Sequence, residues 1–174
     1  EDGLLNKFSN LTILRPTMIY GSSSDRNMWK LINYINSHKI FPVFGSGKNL
    51  LQPVHAKDLG DAYALVLNNK EITFGKQYNL SGKNEITYIS LLKEVSSSLN
   101  RKTIFIHFPI WMSLIGAHIY NFIFRSSAFI SVEQVSRMQE DKIFSWRDAF
   151  EDFGYSPISF EEGIKIELDE FLRK

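Results

Sequence analysis

Leu11 to Arg15 is a short apolar run rich in β-branched residues, stopped by Pro16 and followed after Gly21 by three serines. That pattern predicts a buried strand whose C-terminal end opens onto a site. Met28, Leu31, Ile32 and Ile35 recur at i, i+3, i+4 and i+7 and predict a helix from about Asn27 to His38. Ile40 to Phe44 reads as a strand, Gly45 to Asn49 as a turn, and Leu50 to His55 as its return, giving a β-hairpin or two short strands. Within the return, Gln52 to His55 is a short strand. Alternation turns Gln52 outward from Leu51, toward a cleft, and Pro53 holds it extended. Asp58 is the expected N-cap of the next helix, with Asp61 complementing its first turn and Leu59, Tyr63, Val66 and Leu67 as its apolar stripe. Gln77 to Leu80, bounded by Gly75 and by Ser81-Gly82, is another short strand.

Thr87 caps a helix with Tyr88, Leu91, Leu92, Val95 and Leu99 inside, and Thr103 to Phe108 is a strand by composition. Pro109 suits the first position of a helix that stays apolar on almost every side to Phe124, and Ser131 opens a further short helix. Ser145-Trp-Arg-Asp148 has the look of a capping box, with Gly154 as the stop of its helix. Ser159-Phe-Glu-Glu162 is a full capping box before a helix whose Phe160, Ile164, Leu168 and Phe171 face one way. The order implies an α/β or α+β mixture, without repeats or a linker.

With 174 residues, 44% hydrophobic and 14% aromatic, the chain has the material for a core and is not a disordered tail. Twenty basic against nineteen acidic residues leave +1, which gives no global field for nucleic acid or an anionic membrane, so any anion site is local. Zero cysteines exclude disulfides and thiolate metal sites and suit a cytoplasmic protein. The first residues lack the basic and apolar regions of a signal peptide. Pro109 to Arg125 falls at the lower limit for a bilayer span, and Ser113, His118 and Asn121 would be costly in hydrocarbon, so a buried or partner-facing helix is expected over membrane contact. The scattered histidines show no metal-ligand spacing, and no metal site is assigned. Gly45-Ser-Gly47-Lys48 fails the spacing of a phosphate loop, since Pro42 stands at the first glycine and Asn49 follows the lysine.

Four blocks nevertheless occur in a telling order: Arg15-Pro16-Thr-Met-Ile-Tyr20-Gly21, Pro42-Val-Phe-Gly45-Ser-Gly47, Pro53-Val-His55 with Asp58-Leu-Gly-Asp-Ala62, and Phe153-Gly-Tyr-Ser-Pro157 through Gly163. In these the chain resembles the extended short-chain dehydrogenase/reductase family, the NAD-dependent nucleotide-sugar epimerases and dehydratases. That family also carries a glycine-rich dinucleotide loop and a Tyr-x-x-x-Lys pair before the Arg-Pro block, and neither occurs in this sequence. The resemblance therefore implies a C-terminal part of such an enzyme, residues 1–174 forming a single fragment. The last strands of a Rossmann-like sheet, at about 11–16 and 77–81, would be joined to a small mixed α/β substrate-binding subdomain. Free sheet edges in such a fragment make a homodimer a reasonable expectation.

By the same resemblance Pro16, Thr17 and Met18 would contact the nicotinamide end of NAD or NADP, and Val43 and Phe44 would line the base or ribose of a nucleotide-sugar. Met18 stands where the family often has an asparagine, and a thioether cannot replace an amide's donors. Leu51 stands where many members have a diphosphate-binding arginine. From the residues themselves, Arg26 and Asn27 lie on a loop where they can approach an anion at a helix N-terminus. Gln52 is the polar residue favoured for substrate contact, while His55 reads as a substrate contact or as a histidine held by backbone. The leading expectation is thus the substrate-binding portion of an NAD(P)-dependent epimerase/dehydratase, not competent alone. Its rivals are a non-enzymatic binding or assembly module of the same fold and an NAD(P)-dependent reductase of a small carbonyl or lipid substrate.

Overall fold

The computed structural model describes residues 3, 7–8, 10–21, 25–112 and 140–173, and for Arg26 the backbone alone. In chain order the elements are β1 (Ile13–Pro16), β2 (Ile19–Tyr20), α1 (Arg26–Ser37), β3 (Ile40–Phe44), β4 (Leu50–Leu51), β5 (Val54–His55) and α2 (Ala56–Asn68). They continue with α3 (Lys70–Thr73), β6 (Gln77–Leu80), β7 (Ile86–Thr87), α4 (Tyr88–Ser98), β8 (Ile104–Phe108), α5 (Arg147–Phe153) and α6 (Phe160–Leu172). The chain divides into two units: Glu1–Trp29 with Gln52–Glu85 and Ile143–Lys174, and Lys30–Leu51 with Ile86–Lys142.

In the first unit β1 and β6 run parallel, Ile13 opposite Gln77 and Pro16 opposite Leu80, and β2 runs parallel to β5. Parallel strands need a long return, and the sixty residues between β1 and β6 supply it. Pro16 closes β1, where its missing N–H costs no ladder bond, and the next amide, of Thr17, donates to Leu80 O at 3.2 Å. The core joins Val54, Leu59, Ala62, Val66, Tyr78, Leu80, Ala149, Phe153 and Tyr155, with Leu14, Leu65 and Trp146 half-buried against it. Each large side chain removed from water here contributes roughly 1.5–3 kcal/mol. Asp152 ties α5 to β6 by accepting from Lys76 Nζ at 2.7 Å and from Tyr78 OH at 2.6 Å.

In the second unit β3 runs parallel to β8 over five residues and β4 runs antiparallel to β7. Ile40–Phe44 is therefore not half of a hairpin with Leu50–His55. Gly45 N–H donates to Phe108 O at 2.8 Å and extends the parallel ladder beyond Phe44, so the chain leaves through the Gly45 and Gly47 turn to a different partner. Both glycines have positive φ, and a side chain at Gly47 would crowd Ile89 and Val43.

Local caps are realised where a side chain lies beside its target amide. Thr87 accepts from Ser90 N–H at 3.2 Å, Ser159 and Glu162 form both halves of the capping box, and Gly154 ends α5 at φ 76°. Helix α1 is capped by Asp25, which accepts from Asn27 and Met28 N–H at 2.8 and 3.1 Å. Ser145 does not complete a box. Its Oγ accepts from Arg147 N–H at 3.3 Å, and α5 starts after Trp146 without a side-chain cap. Of the helix expected from Pro109, residues 110–112 are helical; its remainder and the helix expected at Ser131 lie outside the described residues.

Two expectations around Asp58 fail together. Gln52 to His55 is not one strand, because β4 ends at Leu51 and β5 begins at Val54, with Pro53 unable to donate between them. The N-cap of α2 is His55, whose extended backbone lets Nδ1 accept from Lys57 N–H at 3.2 Å. Asp58 sits inside the first turn and is buried, its carboxylate accepting from Ile158 N–H at 3.1 Å, while Asp61 faces outward toward Lys57. Asp58→Ala strands a partly buried amide 100 residues away in sequence and should cost about 2 kcal/mol in urea denaturation. Asp58→Asn, which keeps an acceptor, should cost less than half as much, and an equal loss from both would place the effect in the carboxylate charge instead.

Candidate functional site

The C-terminal ends of β1 and β6 are knotted by hydrogen bonds around one buried amide. Gln52 is 6% exposed, its Nε2 donates to Gly82 O at 2.8 Å, and its Oε1 accepts from Phe144 N–H at 3.0 Å. Its carbonyl accepts from the Thr17 hydroxyl at 2.5 Å and from Gly82 N–H at 3.3 Å. Ser81 donates to Phe144 O at 2.6 Å, and Tyr155 OH donates to Ser81 O at 3.0 Å. A Cβ at Gly82 would collide with Pro53 O, so the approach that makes the knot requires glycine.

Beside the knot lies a cleft of about 480 Å³ lined by Gln52, Glu85, Ile143, Phe144, Ser145, Trp146, Arg147 and Phe150. Its walls are aromatic, with Phe144 and Phe150 both more than half exposed. Its cation, Arg147, is exposed and paired with Glu151 at 2.7 Å. Such a pair in water contributes little to folding and can be exchanged for a ligand anion.

A second cluster is closed to solvent. Tyr20 packs edge-on to His55 and tilted against Phe160, each at 5.2 Å between ring centres. Side chains at Gly21 and Gly163 would strike the His55 ring and the Tyr20 hydroxyl respectively. Because His55 Nδ1 accepts, a neutral ring carries its proton on Nε2, which is buried without a partner, as is Tyr20 OH. Burial lowers the His55 pKa and raises that of Tyr20, the latter reinforced by Asp58, Glu167 and Glu162. Both groups stay neutral at physiological pH. Glu167 on α6 is 1% exposed, and among the described residues neither carboxylate oxygen makes a hydrogen bond of good geometry, although the Gly21 amide lies close enough to favour its charged form. Burial, with Asp25 and Glu170 nearby, pushes its pKa up to about 7 against the pull of the Gly21 amide.

The structure brings together some of the residues singled out by sequence and separates others. Thr17 and Gln52 touch, and Met18 O accepts from Val54 N–H at 2.9 Å, next to His55. Both donors of Thr17 are spent within the protein, so Pro16 to Met18 offers a wall, the exposed Pro16 ring and half-buried Met18, rather than a cradle of N–H groups. Gln52 does not look outward, since both ends of its amide are held by backbone. Asn27 is exposed beside the Asp25 cap. Val43 is fully buried and Phe44 exposed in the second unit. The sequence reading gave Ser81, Gly82, Trp146 and Arg147 structural parts alone, as a strand bound and a helix start, and gave Glu167 none. Glu167 did leave a signal, as a charge three residues after Ile164 on the apolar stripe of α6.

Glu167 gives a pH test. Its folded pKa lies above the ordinary carboxylate value of about 4.5, so it stabilises least once it must ionise: stability is lost as pH rises from about 4.5 through 7. Glu167→Gln should leave stability near pH 4.5 almost unchanged and raise it at pH 8 by about 1–2 kcal/mol, allowing for solvent screening. Denaturation midpoints at the two pH values measure this, and an equal effect at both would mean Glu167 is ionised throughout.

The profile of the NAD dependent epimerase/dehydratase family matches residues 6–81, which contain β1 to β6 and therefore most of the knot. The N-acetyl-alpha-D-glucosaminyl-diphospho-ditrans,octacis-undecaprenol 4-epimerase of Escherichia coli O157:H7 is 28% identical over 112 residues, 64% of this chain and 33% of that protein. A mitochondrial NADH dehydrogenase [ubiquinone] 1 alpha subcomplex subunit 9 of Arabidopsis thaliana is 30% identical over 89 residues, 50% of this chain and 21% of that one. The chain thus spans a third or less of these two relatives. Among solved structures, UDP-glucuronic acid 4-epimerase from Bacillus cereus, in complex with UDP-glucuronic acid and NAD, superimposes with a TM-score of 0.68 at 18% identity. It covers 94% of this chain and 46% of its own, a likeness of fold. The chain is thus similar over residues 6–81 to the NAD dependent epimerase/dehydratase family, and it shares the fold of a solved epimerase over most of its length.

Proposed function

We propose that the chain forms the substrate-side portion of an NAD(P)-dependent epimerase or dehydratase acting on a nucleotide-sugar or a similar sugar diphosphate. The observation that carries this reading is the aromatic, arginine-rimmed cleft set directly against the knotted ends of the parallel strands. Open α/β sheets bind ligands at the carboxyl ends of their strands. A base can stack on Trp146 or Phe150, and the Arg147 fork can exchange Glu151 for a phosphate. Gln52 then acts by positioning: it holds Phe144 at the cleft wall and Gly82 at the strand end.

Pro16, Thr17 and Met18 would face the nicotinamide end of a bound NAD(P), which would supply hydride chemistry at a sugar carbon. This sequence contains neither a glycine-rich dinucleotide loop nor Tyr-x-x-x-Lys, so in this reading the chain alone binds substrate without turning it over. Arg26 and Asn27 remain candidate substrate contacts, whereas Val43 and Phe44 belong to the second unit. His55 is assigned to the α2 cap.

Saturation-transfer NMR of the chain with UDP-N-acetylglucosamine, and separately with NAD, tests the reading. Transfer to the base protons is expected at about millimolar ligand, weakened roughly five- to tenfold in Arg147→Ala, with no comparable signal from NAD. Micromolar NAD binding by the chain would contradict the placement. The Arabidopsis relative, named as a subunit of a larger complex, favours the assembly-module reading. Absence of sugar-nucleotide binding in the wild type would select it.

A further inference from the structure

The second unit, taken alone, carries a surface that the enzymatic reading does not use. In its parallel pair Ile40 lies opposite Ile104, Pro42 opposite Ile106 and Phe44 opposite Phe108. Side chains two apart share a face, so these six apolar residues lie on one side of the sheet. On that side Ile104 is 61% exposed, Ile40 49% and Ile106 39%, with Pro42 and Phe108 half-buried, whereas Phe41 and Val43 on the opposite side are buried. Shortly beyond β8, Trp111 and Met112 are 58% and 43% exposed.

Because the strands are parallel, both begin at the same end, and that end is basic. A cleft of about 400 Å³ there is lined by His38, Lys39, Arg101 and Lys102, with asparagine, serine and threonine side chains and no carboxylate. Ile104 N–H donates to Lys39 O at 2.8 Å, which fixes the cations at the edge of the apolar face. Arg101 donates from Nε and Nη2 to Asn36 Oδ1 at 3.1 and 2.9 Å, so a neutral oxygen orients it. Residues 30–51 and 86–142 carry nine Lys/Arg and four Asp/Glu, a balance of +5, which leaves −4 for the rest of a chain whose net charge is +1.

We propose that this face docks on an anionic lipid surface, its isoleucines and Trp111 entering the interface while Lys39, Arg101 and Lys102 meet the headgroups. Apolar patches rimmed by cations bind membranes by adding burial to headgroup attraction, and tryptophan favours the interfacial depth. Charge selects this occupant over a second copy, since a symmetric pair would set +5 against +5. The binding is peripheral, because no helix among the described residues is long and apolar enough to cross a membrane. It is independent of the substrate and cofactor reading.

Co-sedimentation with vesicles of phosphatidylcholine plus phosphatidylglycerol, against phosphatidylcholine alone, tests it. Binding is expected on the anionic vesicles and should weaken as salt is added. Combining Lys39→Gln, Arg101→Gln and Lys102→Gln should lower the partition coefficient about 100-fold, at about 1 kcal/mol per cation near the surface. If loss of Arg101 unfolds the unit, Lys39→Gln with Lys102→Gln should still lower it about 30-fold. Ile104→Ser with Ile106→Ser should lower binding while leaving the thermal midpoint in place. Equal binding to neutral vesicles, or none to anionic ones, overturns the proposal. So does a dimer in sedimentation equilibrium that Ile104→Ser with Ile106→Ser converts to monomer, which would assign the face to a second copy.

Discussion

Gln52 is the interaction on which the first unit's architecture turns. One buried amide satisfies the Gly82 carbonyl with its donor and the Phe144 N–H with its acceptor, joining segments thirty and ninety-two residues away. An amide can do this because it carries both functions on one rigid plane. Neither function can be removed cheaply. With the amide deleted, a carbonyl and an N–H remain that water must reach or that stand unpaired, at about 1–3 kcal/mol each. The neighbouring requirements follow from that bridge: Gly82 has no side chain because Pro53 O occupies the space, and Thr17 turns its hydroxyl inward because the Gln52 carbonyl is there. The strand ends are thus fixed before any ligand arrives, which is the precondition for a site of defined shape.

What was legible in the sequence was local. The caps at Thr87, Ser159 and Gly154 involve groups three to five residues apart, and their residue types state the geometry they need. Strands β1 and β6 were legible for the same reason, as bounded apolar runs. Pairing was not. Whether Ile40–Phe44 meets Leu50–Leu51 or Ile104–Phe108 depends on a competition between a nearby antiparallel partner and one some sixty residues on, and alternation is equally satisfied by both. Asp58 failed likewise: Asp at a helix start reads as a cap, and only the position of Ile158 makes it an inward tether.

The candidate site shows the same division. Polarity correctly picked out Gln52 and His55 as unusual, yet their partners, Gly82, Phe144 and the Lys57 amide, decide that both hold backbone rather than face solvent. Arg147 was not read as part of a site because an arginine four residues before a glutamate on a helix is ordinary surface chemistry. Its interest comes from the aromatic walls that tertiary structure sets around it. Leu51, where the resembling enzymes have arginine, is buried in β4, so its change to an apolar residue matches its surroundings. An anion site in this protein has to draw its cation from elsewhere.

Charge makes the final point about averages. A net charge of +1 excludes a global field, but a field is felt over about a Debye length, roughly 8–10 Å, which is smaller than either unit. Within that range the relevant quantities are the +5 and −4 of the two units and, more sharply, three cations gathered at one end of one parallel pair. The parallel arrangement gathers them: in an antiparallel pair Lys39 and Lys102, each just before its strand, would stand at opposite ends, and the apolar face between would have no charged side. Topology, set by which strand Ile40–Phe44 chose, therefore converts an unremarkable charge sequence into a directional surface.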